Sequence, residues 1–355
     1  MIILGSTGSI GVNTLNIARK FNLNVEVLVA GSNIELLNKQ INEFKPKKVV
    51  IANKEDIKNV NHNNVFSGEE AILEAIETSS SKTVVNSLVG FLGLKPTLKA
   101  IQCGKKIALA NKESLVVAGK FIDQTNLNPI DSEHFGLWYL LQDKKINSMT
   151  ITASGGSFRD YPLEELKNVS IKEALNHPNW SMGNKITIDS ATMTNKIFEL
   201  IEAAWLFDIK KLDAIIETKS LIHAMVNFED GSTTAHIANA SMQLPIAYAI
   251  LGRCDEEILK PVDLLEIGSL EFKKIESSRY PIWEAKNEIL NNLDLGVVLN
   301  AANEVAVSKF LNSEIGFLDI SKISMNALNK FNSVSAKNID DIFQIDKEVR
   351  AYCES

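Results

Sequence analysis

Short apolar runs alternate with amphipathic stretches over the first third of the chain. Met1–Leu4, Val25–Ala30, Lys48–Ala52, Thr83–Leu88 and Ile107–Ala110 each read as a strand. Between them apolar residues recur at helical spacing, as at Val12, Leu15, Ile17 and Ala18. Strands alternating with helices in this way predict a parallel sheet built from βαβ units. The pattern then changes. Apolar runs at Met149–Ala153, Ala214–Ile216, Ile222–Phe228 and Thr233–Ile237 predict a second sheet. One helix is expected over Phe135, Leu137, Trp138, Leu140 and Leu141, and another from Asp189–Ser190 to about Phe207, after a short strand or linker at Ile186–Ile188. From Trp283 onward the pattern is helical, with Gly296 and Gly316 as punctuation. The expected division is 1–120, 121–255, a charged linker over 256–280 and a helical 281–355.

Composition narrows the class. A chain of 355 residues is too long for one typical core. Hydrophobic content of 45% and charged content of 23% are those of a globular protein. The net charge of -7, with no basic block, excludes a general nucleic-acid surface and leaves any anionic substrate to a few local donors. Cys103, Cys254 and Cys353 are scattered and lack metal-ligand spacing, which points to reduced thiols and a cytoplasmic protein. No apolar run approaches the ~18 residues of a membrane span, and the first residues enter a strand rather than a signal peptide.

Several stretches carry chemistry. Gly5-Ser6-Thr7-Gly8-Ser9-Ile10-Gly11 stands between a strand and a helix, where glycines let the backbone approach a diphosphate and the helix start offers free N–H groups. A tight turn without ligand is the alternative. No acid follows the second strand until Glu35, which favours NADP(H) over NAD(H). Asn111-Lys112-Glu113-Ser114 follows a strand end, where ligands sit in open α/β sheets, although Asn111 or Ser114 could simply cap a helix. Asp131-Ser132-Glu133 fits either a helix start or half of a site for a hard divalent cation. Ser154-Gly155-Gly156-Ser157 is an anion-binding turn or a plain loop.

The densest stretch is Asn176 to Glu199. His177-Pro178-Asn179-Trp180-Ser181-Met182-Gly183 reads as a loop able to close over a substrate and cover it with Trp180. On the helix expected after it, Asn195 and Glu199 pair at i,i+4 and Lys196 and Glu199 at i,i+3; a surface salt bridge is the bland alternative. Ser190 would contribute from that helix's first turn, beside N–H groups that favour a phosphate.

The segments GSTGSIG (5–11), ALANKESLV (108–116), PIDSEH (129–134), SGGSFR (154–159), NHPNWSMGNKITIDSATMTNK (176–196) and LNAANEVAV (299–307) together closely resemble the 1-deoxy-D-xylulose 5-phosphate reductoisomerase family. The resemblance implies an α/β Rossmann-like N-terminal domain, an α+β catalytic domain with a dimerisation sheet, and a C-terminal α-helical bundle that closes against the active site. It implies rearrangement of the sugar phosphate by retro-aldol and aldol steps, then hydride transfer from NADPH, in the methylerythritol phosphate route to isoprenoids. Asp131, Glu133 and Glu199 would hold Mg²⁺ or Mn²⁺, with Co²⁺ a further option. Ser154, His177, Ser190, Asn195 and Lys196 would anchor the phosphate side, and Lys112 and Ser132 would meet the reacting hydroxyls. Thr7, Gly8, Ser9, Ile10, Gly31, Ser32, Asn33, Asn111, Glu113 and Gly183 would line the NADPH site.

Three positions depart from the family pattern. Ile197-Phe198 precedes Glu199 where Gly-Leu is usual, Ser32 stands where Lys is common, and Ser157 where Pro is frequent. Other classes remain to be weighed. A semialdehyde or homoserine-type dehydrogenase would need neither metal triad nor phosphate anchors, and an NADP-binding sensor would tolerate loss of Glu199.

Overall fold

The computed structural model describes residues 1–355, which form two compact units. Unit 1 comprises Met1–Ser114, Ile122–Ser132 and Ser241–Lys260. Its elements in chain order are β1 (Ile2–Leu4), α1 (Ser9–Lys20), β2 (Val27–Ala30), α2 (Ile34–Phe44), β3 (Lys48–Ile51), β4 (Val65–Ser67), α3 (Glu69–Thr78), β5 (Thr83–Asn86), α4 (Leu94–Gln102), β6 (Lys106–Leu109), the first residues of α5 (Lys112–Ala118) and β7 (Leu127–Pro129). All seven strands are parallel, in the order β4-β3-β2-β1-β5-β6-β7.

β1 is central because Ile2, Ile3 and Leu4 are wholly buried, as a strand covered on both faces requires. Ile3 pairs with Leu28 on one side and Val85 on the other. Strand order therefore reverses between β1 and β5, which puts the ligand crevice outside their carboxyl ends. One apolar core gathers Ile3, Leu15, Leu28, Leu37 and Ile41. A second joins Ile17 and Val85 to Ile246 and Ala247, so that the later helix Gln243–Leu251 covers the sheet beside α1.

Unit 2 comprises Leu115–Phe121, Glu133–Ala240 and Pro261–Ser355. It holds most of α6 (Ser132–Tyr139), β8 (Ile146–Ala153), α7 (Ile171–Ala174), α8 (Asn184–Thr192), α9 (Thr194–Phe207), β9 (Leu212–Glu217), β10 (Ile222–Phe228) and β11 (Thr233–Ile237). The helix Gln243–Leu251, α10, intervenes in the chain before α11 (Leu264–Ile267), β12 (Phe272–Lys273), α12 (Lys286–Asn291), α13 (Leu295–Leu311), α14 (Phe317–Lys330) and α15 (Ile339–Glu354). The sheet is mixed, in the order β11-β10-β8-β9-β12, with only β8 and β9 parallel. The stretch after Pro261 is not featureless, for Phe272 and Lys273 extend the sheet by pairing with Glu217 and Ile216.

α13 is buried on nearly every face and packs against α14 and α15. Its Gly296 is required by a close approach: a Cβ there would lie 2.1 Å from the Val116 carbonyl oxygen. A core of Phe158, Ile188, Ala191, Ala306, Phe310 and Phe317 joins α8 to α13 and α14.

Two expectations are corrected. Ile186–Ile188 is neither strand nor linker but lies within α8. Asp189-Ser190 does not start a helix: both belong to α8, and the chain breaks at Met193, whose φ of 71° begins a new helix at Thr194. The pattern hid this because Ile186 and Ile188 alternate as in a strand, while the left-handed break falls at Met193, a residue type that carries no turn signal. β4 (Val-Phe-Ser) and β7 (Leu-Asn-Pro) were not singled out because neither is a continuous apolar run, unlike the equally short β1.

Candidate active site

In unit 1 the loop after β1 uses two of its glycines for steric reasons. Gly5 has φ +85°, and a Cβ there would meet Ser87 O at 2.8 Å, so the ends of β1 and β5 come together only over glycine. At Gly11 a Cβ would stand 2.3 Å from Gly5 O, so α1 can start directly beneath the turn. Gly8 is the residue before α1 and offers no capping side chain. Thr7 and Ile10 are half-buried, and Ser9 is exposed at the helix start. The start of α1 therefore has no side-chain cap on its first N–H groups, the arrangement that an anion can use.

After β2, Gly31, Ser32 and Asn33 are all exposed. The Asn33 side chain accepts from Leu36 N at 3.1 Å and so caps α2. Glu35 faces Lys39 at 2.7 Å on the exposed side of that helix.

Asn111 is 1% exposed, and its side chain is committed to the fold. Oδ1 accepts from Ser114 N at 3.2 Å, capping α5, while Nδ2 donates to Leu88 O and Gly90 O at 2.8 Å and to Glu113 Oε2 at 3.1 Å. Capping, the plainer reading, is thus what the Asn111 side chain does. The next residue differs. Lys112 opens α5, and its ammonium, although buried, stands 2.7 Å from Asp131 Oδ2.

In unit 2 the polar face of α9 forms as the helical spacing predicts, but inside the protein. Lys196 Nζ lies 2.5 Å from Glu199 Oε2 and 2.8 Å from Glu133 Oε1, and Asn195 Nδ2 lies 2.5 Å from Glu199 Oε1. Lys196 and Glu199 are 4% and 2% exposed, so this is no surface salt bridge. Burial works against the Lys196 charge; the Glu133 and Glu199 carboxylates outweigh it and raise its pKa. His134, fully buried, donates from Nε2 to Glu199 O at 2.8 Å and so ties the start of α6 to α9. Ile197 and Phe198, the bulky departures from the family pattern, are both 0% exposed and pack on the apolar side, leaving the carboxylate of Glu199 in place.

Ser154 and His177 meet directly. His177 Nδ1 accepts from Asn179 N at 3.2 Å and Trp180 N at 2.9 Å, so the proton is on Nε2, which donates to Ser154 Oγ at 2.8 Å. Ser154 Oγ also accepts from Gly156 N at 3.1 Å, which leaves its own O–H as a donor. Burial, and then the Arg159 and Lys196 charges, lower the His177 pKa to about 4 and keep the imidazole neutral.

Gly155 and Gly156 have φ of +90° and +70°, and a Cβ on Gly156 would lie 2.7 Å from Ser190 O. The 154–157 turn therefore sits against Ser190, which is in the last turn of α8. Its role beside free helix N–H groups is overturned, since this end of the helix presents carbonyls.

The 177–183 loop is held by Asn179, whose Nδ2 donates to Thr218 O at 3.0 Å and Ser220 Oγ at 2.7 Å. Trp180 is half-buried, with its ring 6.3 Å from that of His223. Gly183 precedes α8 in open space, where nothing demands glycine.

Other residues that position these groups were not singled out from sequence. Arg159 donates to Ser154 O and Thr218 O at 2.8 and 2.9 Å. Asp189, 1% exposed, accepts from Asn303 Nδ2 at 2.7 Å and faces Lys185 at 2.9 Å, joining α8 to α13. Both lie in quoted segments, but a charge destined for burial looks the same in sequence as one left in water. Ser132 is buried, and the chain passes from one unit to the other between it and Glu133.

Comparison with known proteins follows this geometry. Three family patterns match: 1-deoxy-D-xylulose 5-phosphate reductoisomerase over residues 1–119, its C-terminal domain over 127–207, and the DXP reductoisomerase C-terminal domain over 237–352. The chain is 59% identical over 363 residues to the 1-deoxy-D-xylulose 5-phosphate reductoisomerase of Nautilia profundicola, covering 100% of this chain and 99% of that one. It is 53% identical to the enzyme of the same name from Campylobacter hominis, again covering 100% and 99%. Among solved structures, a DOX-P reductoisomerase in complex with NADPH, fosmidomycin and magnesium superposes with TM-score 0.93 at 34% identity, covering 99% and 97%. The Zymomonas mobilis reductoisomerase in complex with NADPH gives 0.88 at 34% identity, covering 100% and 98%.

Proposed function

The chain belongs to the 1-deoxy-D-xylulose 5-phosphate reductoisomerase family, and from that premise we propose how its own residues divide the work. It is an NADPH- and divalent-metal-dependent enzyme that rearranges and reduces 1-deoxy-D-xylulose 5-phosphate to 2-C-methyl-D-erythritol 4-phosphate, a step of the methylerythritol phosphate pathway. Residues 1–120 bind the cofactor and contribute Lys112, and 121–255 supply the other catalytic groups. Residues 281–355, joined by 256–280, brace them, a reading supported by the Asn303–Asp189 bond.

One observation carries the residue assignment. Glu133 and Glu199 both turn a carboxylate oxygen onto the same buried ammonium. Hard oxygen donors converging where a cation already balances them suit Mg²⁺ or Mn²⁺. Asp131, two residues from Glu133, completes the ligand set that we assign from the family, with its charge balanced by Lys112. When bound, a divalent ion there supplies Lewis acidity toward the substrate's carbonyl and hydroxyl oxygens, and NADPH supplies the hydride.

The chain's own groups do the rest. Ser154 offers its hydroxyl proton to the phosphate, with the serine oxygen held by His177 and Gly156. Neutral His177 keeps that geometry at physiological pH. Asn195 and Lys196 orient Glu199 and add donors on the phosphate side. Lys112 and Ser132 face the reacting hydroxyls, and Trp180 covers the substrate so that water is excluded. Binding energy from the phosphate is then available to hold the 177–183 loop closed. The backbone N–H groups of the 5–11 loop hold the NADPH diphosphate, with Gly31, Ser32 and Asn33 at the 2′-phosphate end.

A dehydrogenase of the semialdehyde or homoserine type would have no use for the buried Glu133–Lys196–Glu199 cluster. Homodimerisation is part of the proposal, supported by Trp138, Tyr139 and Ile237, which are 44%, 53% and 40% exposed in unit 2, where β11 is a sheet edge. A cytoplasmic location is supported by three free cysteines. No helix is long and apolar enough to cross a membrane.

The direct test is purified protein with NADPH, followed at 340 nm. Absorbance should fall only when both 1-deoxy-D-xylulose 5-phosphate and Mg²⁺ or Mn²⁺ are present. No loss under those conditions, or loss without the metal, would overturn the assignment.

A further inference from the structure

We propose that Gln40 is a positioning residue for the cofactor loop: its side-chain amide fixes the Ser6–Thr7 peptide so that the Thr7 N–H faces the cofactor diphosphate. The inference rests on reading residues 5–11 as the NADPH loop, and it extends the site to a residue on a different helix, 34 positions along the chain.

Gln40 is 5% exposed and lies on the inner face of α2 with Leu37 and Ile41. A buried glutamine among apolar neighbours is costly unless its amide is used. Here Nε2 donates to Ser6 O at 2.8 Å while Oε1 has no partner, so this single bond is the use the amide has. The orientation of the amide follows from the partner. Ser6 O can only accept, and the reversed amide would set two carbonyl oxygens against each other.

The consequence is geometric. A trans peptide is planar, and its C=O and N–H point in opposite directions. With Ser6 O turned inward to α2, the N–H of the same peptide, that of Thr7, must point outward. The preceding peptide N–H groups are also fixed, since Gly5 N and Ser6 N donate to Val29 O at 2.9 and 2.8 Å. Ser6 is 0% exposed whereas Thr7 is half-buried, so outward is the more open side of the loop, which we take to be the crevice at the strand ends. No acceptor within the chain takes the Thr7 N–H. It therefore joins the free N–H groups of Ser9 and Ile10 at the start of α1 as a third donor to an anion. The bonds of Ser6 N and Gly8 N hold the peptides on either side, so the Gln40 bond is the one that holds this peptide itself; its rotated form would present a carbonyl oxygen to the diphosphate.

α2 also begins immediately after Gly31, Ser32 and Asn33, so one helix ties the 2′-phosphate end of the cofactor site to the diphosphate loop. The two ends respond to different tests. A defect in the diphosphate loop affects NADPH and NADH alike, whereas a defect at residues 31–33 affects NADPH alone.

The experiment is steady-state kinetics of Gln40→Met with NADPH and with NADH, alongside the melting temperature. The expected result is a KM increase of about tenfold for both nucleotides, with kcat and the KM for 1-deoxy-D-xylulose 5-phosphate unchanged. An unchanged NADPH KM would overturn the proposal. So would an effect on NADPH alone, or a parallel loss in all constants with a lowered melting temperature, which would mark Gln40 as merely structural. Should Gln40→Met fail to fold, Gln40→Glu is titrated with NADP⁺ at pH 8 and pH 5.5. Its ionised carboxylate repels Ser6 O and its protonated form donates, so the deficit against wild type should shrink at the lower pH; an equal deficit at both contradicts the proposal. Wild-type protein that bound neither nucleotide would remove the reading of the loop itself, and this inference with it.

Discussion

Sixty-three positions separate Glu133 from Lys196 in the chain, and 2.8 Å separates the carboxylate oxygen Oε1 from the ammonium Nζ. With Glu199 on its other side, Lys196 is the fixed point on which two acids from different helices converge. Removing it leaves buried charge of one sign. In the metal-free protein we expect Lys196→Met to cost about 3–5 kcal/mol, read by urea unfolding. Mn²⁺ should recover more stability in the variant than in wild type, because the ion replaces the missing cation. The KM for the sugar phosphate should rise as well.

The turn from Ser154 to Ser157 gives a separate prediction. In Gly156→Ala the new methyl would stand 2.6 Å from the Ala191 Cα, at a φ of +70°. The turn must move away from α8, and Ser154 would leave His177. Kinetics should show the sugar-phosphate KM raised about tenfold or more with the NADPH KM unchanged, and stability lowered by about 1–3 kcal/mol.

Stability should decline on mild acidification. Burial and then the Arg159 and Lys196 charges lower His177 to about 4, and burial and then His223 lower His236 to about 4. Both pKa values are depressed relative to the unfolded value near 6.5, so the unfolded chain takes up protons first as pH falls. The stabilisation is complete above about pH 6.5 and is lost progressively toward pH 4, by at most about 1.4 kcal/mol per pH unit for a fully buried group. Melting curves from pH 7.5 to 5 should show the decline. His236→Phe, which keeps a ring beside Phe135, should make it shallower.

Ser32 is exposed, and we assign it to the 2′-phosphate end of the cofactor site, where the family often carries lysine. Ser32→Lys should tighten NADPH binding by several-fold, about 1 kcal/mol at low salt, without improving NADH. Raising the ionic strength should erase most of the gain. Fluorescence titration with both nucleotides checks this.

What could be read from sequence divides along physical lines. The parallel sheet was legible because β1, β2, β3, β5 and β6 are buried on both faces and stand out as continuous apolar runs. The pairing of Asn195, Lys196 and Glu199 was legible because it depends only on helical spacing within α9. What failed was continuity: the left-handed Met193 splits α8 from α9, and nothing in the residue types announced it, so Ser190 was placed at the wrong end of a helix. Burial of charge was also hidden. Asp189, joined to Asn303 over 114 positions, and Glu133, joined to Lys196, depend on tertiary pairing that local pattern does not carry. The family resemblance supplied a role for Glu133 but none for Asp189; the structure supplied the partners of both.

The most direct measurement is NADPH consumption at 340 nm by Glu199→Gln beside wild type, with 1-deoxy-D-xylulose 5-phosphate and Mn²⁺. Glutamine keeps the size of Glu199 but removes the negative charge that faces Lys196 and that we assign to the metal. The predicted result is a loss of turnover of about a thousandfold or more, with the NADPH affinity and the fold intact. Wild-type turnover in the folded variant would contradict the account.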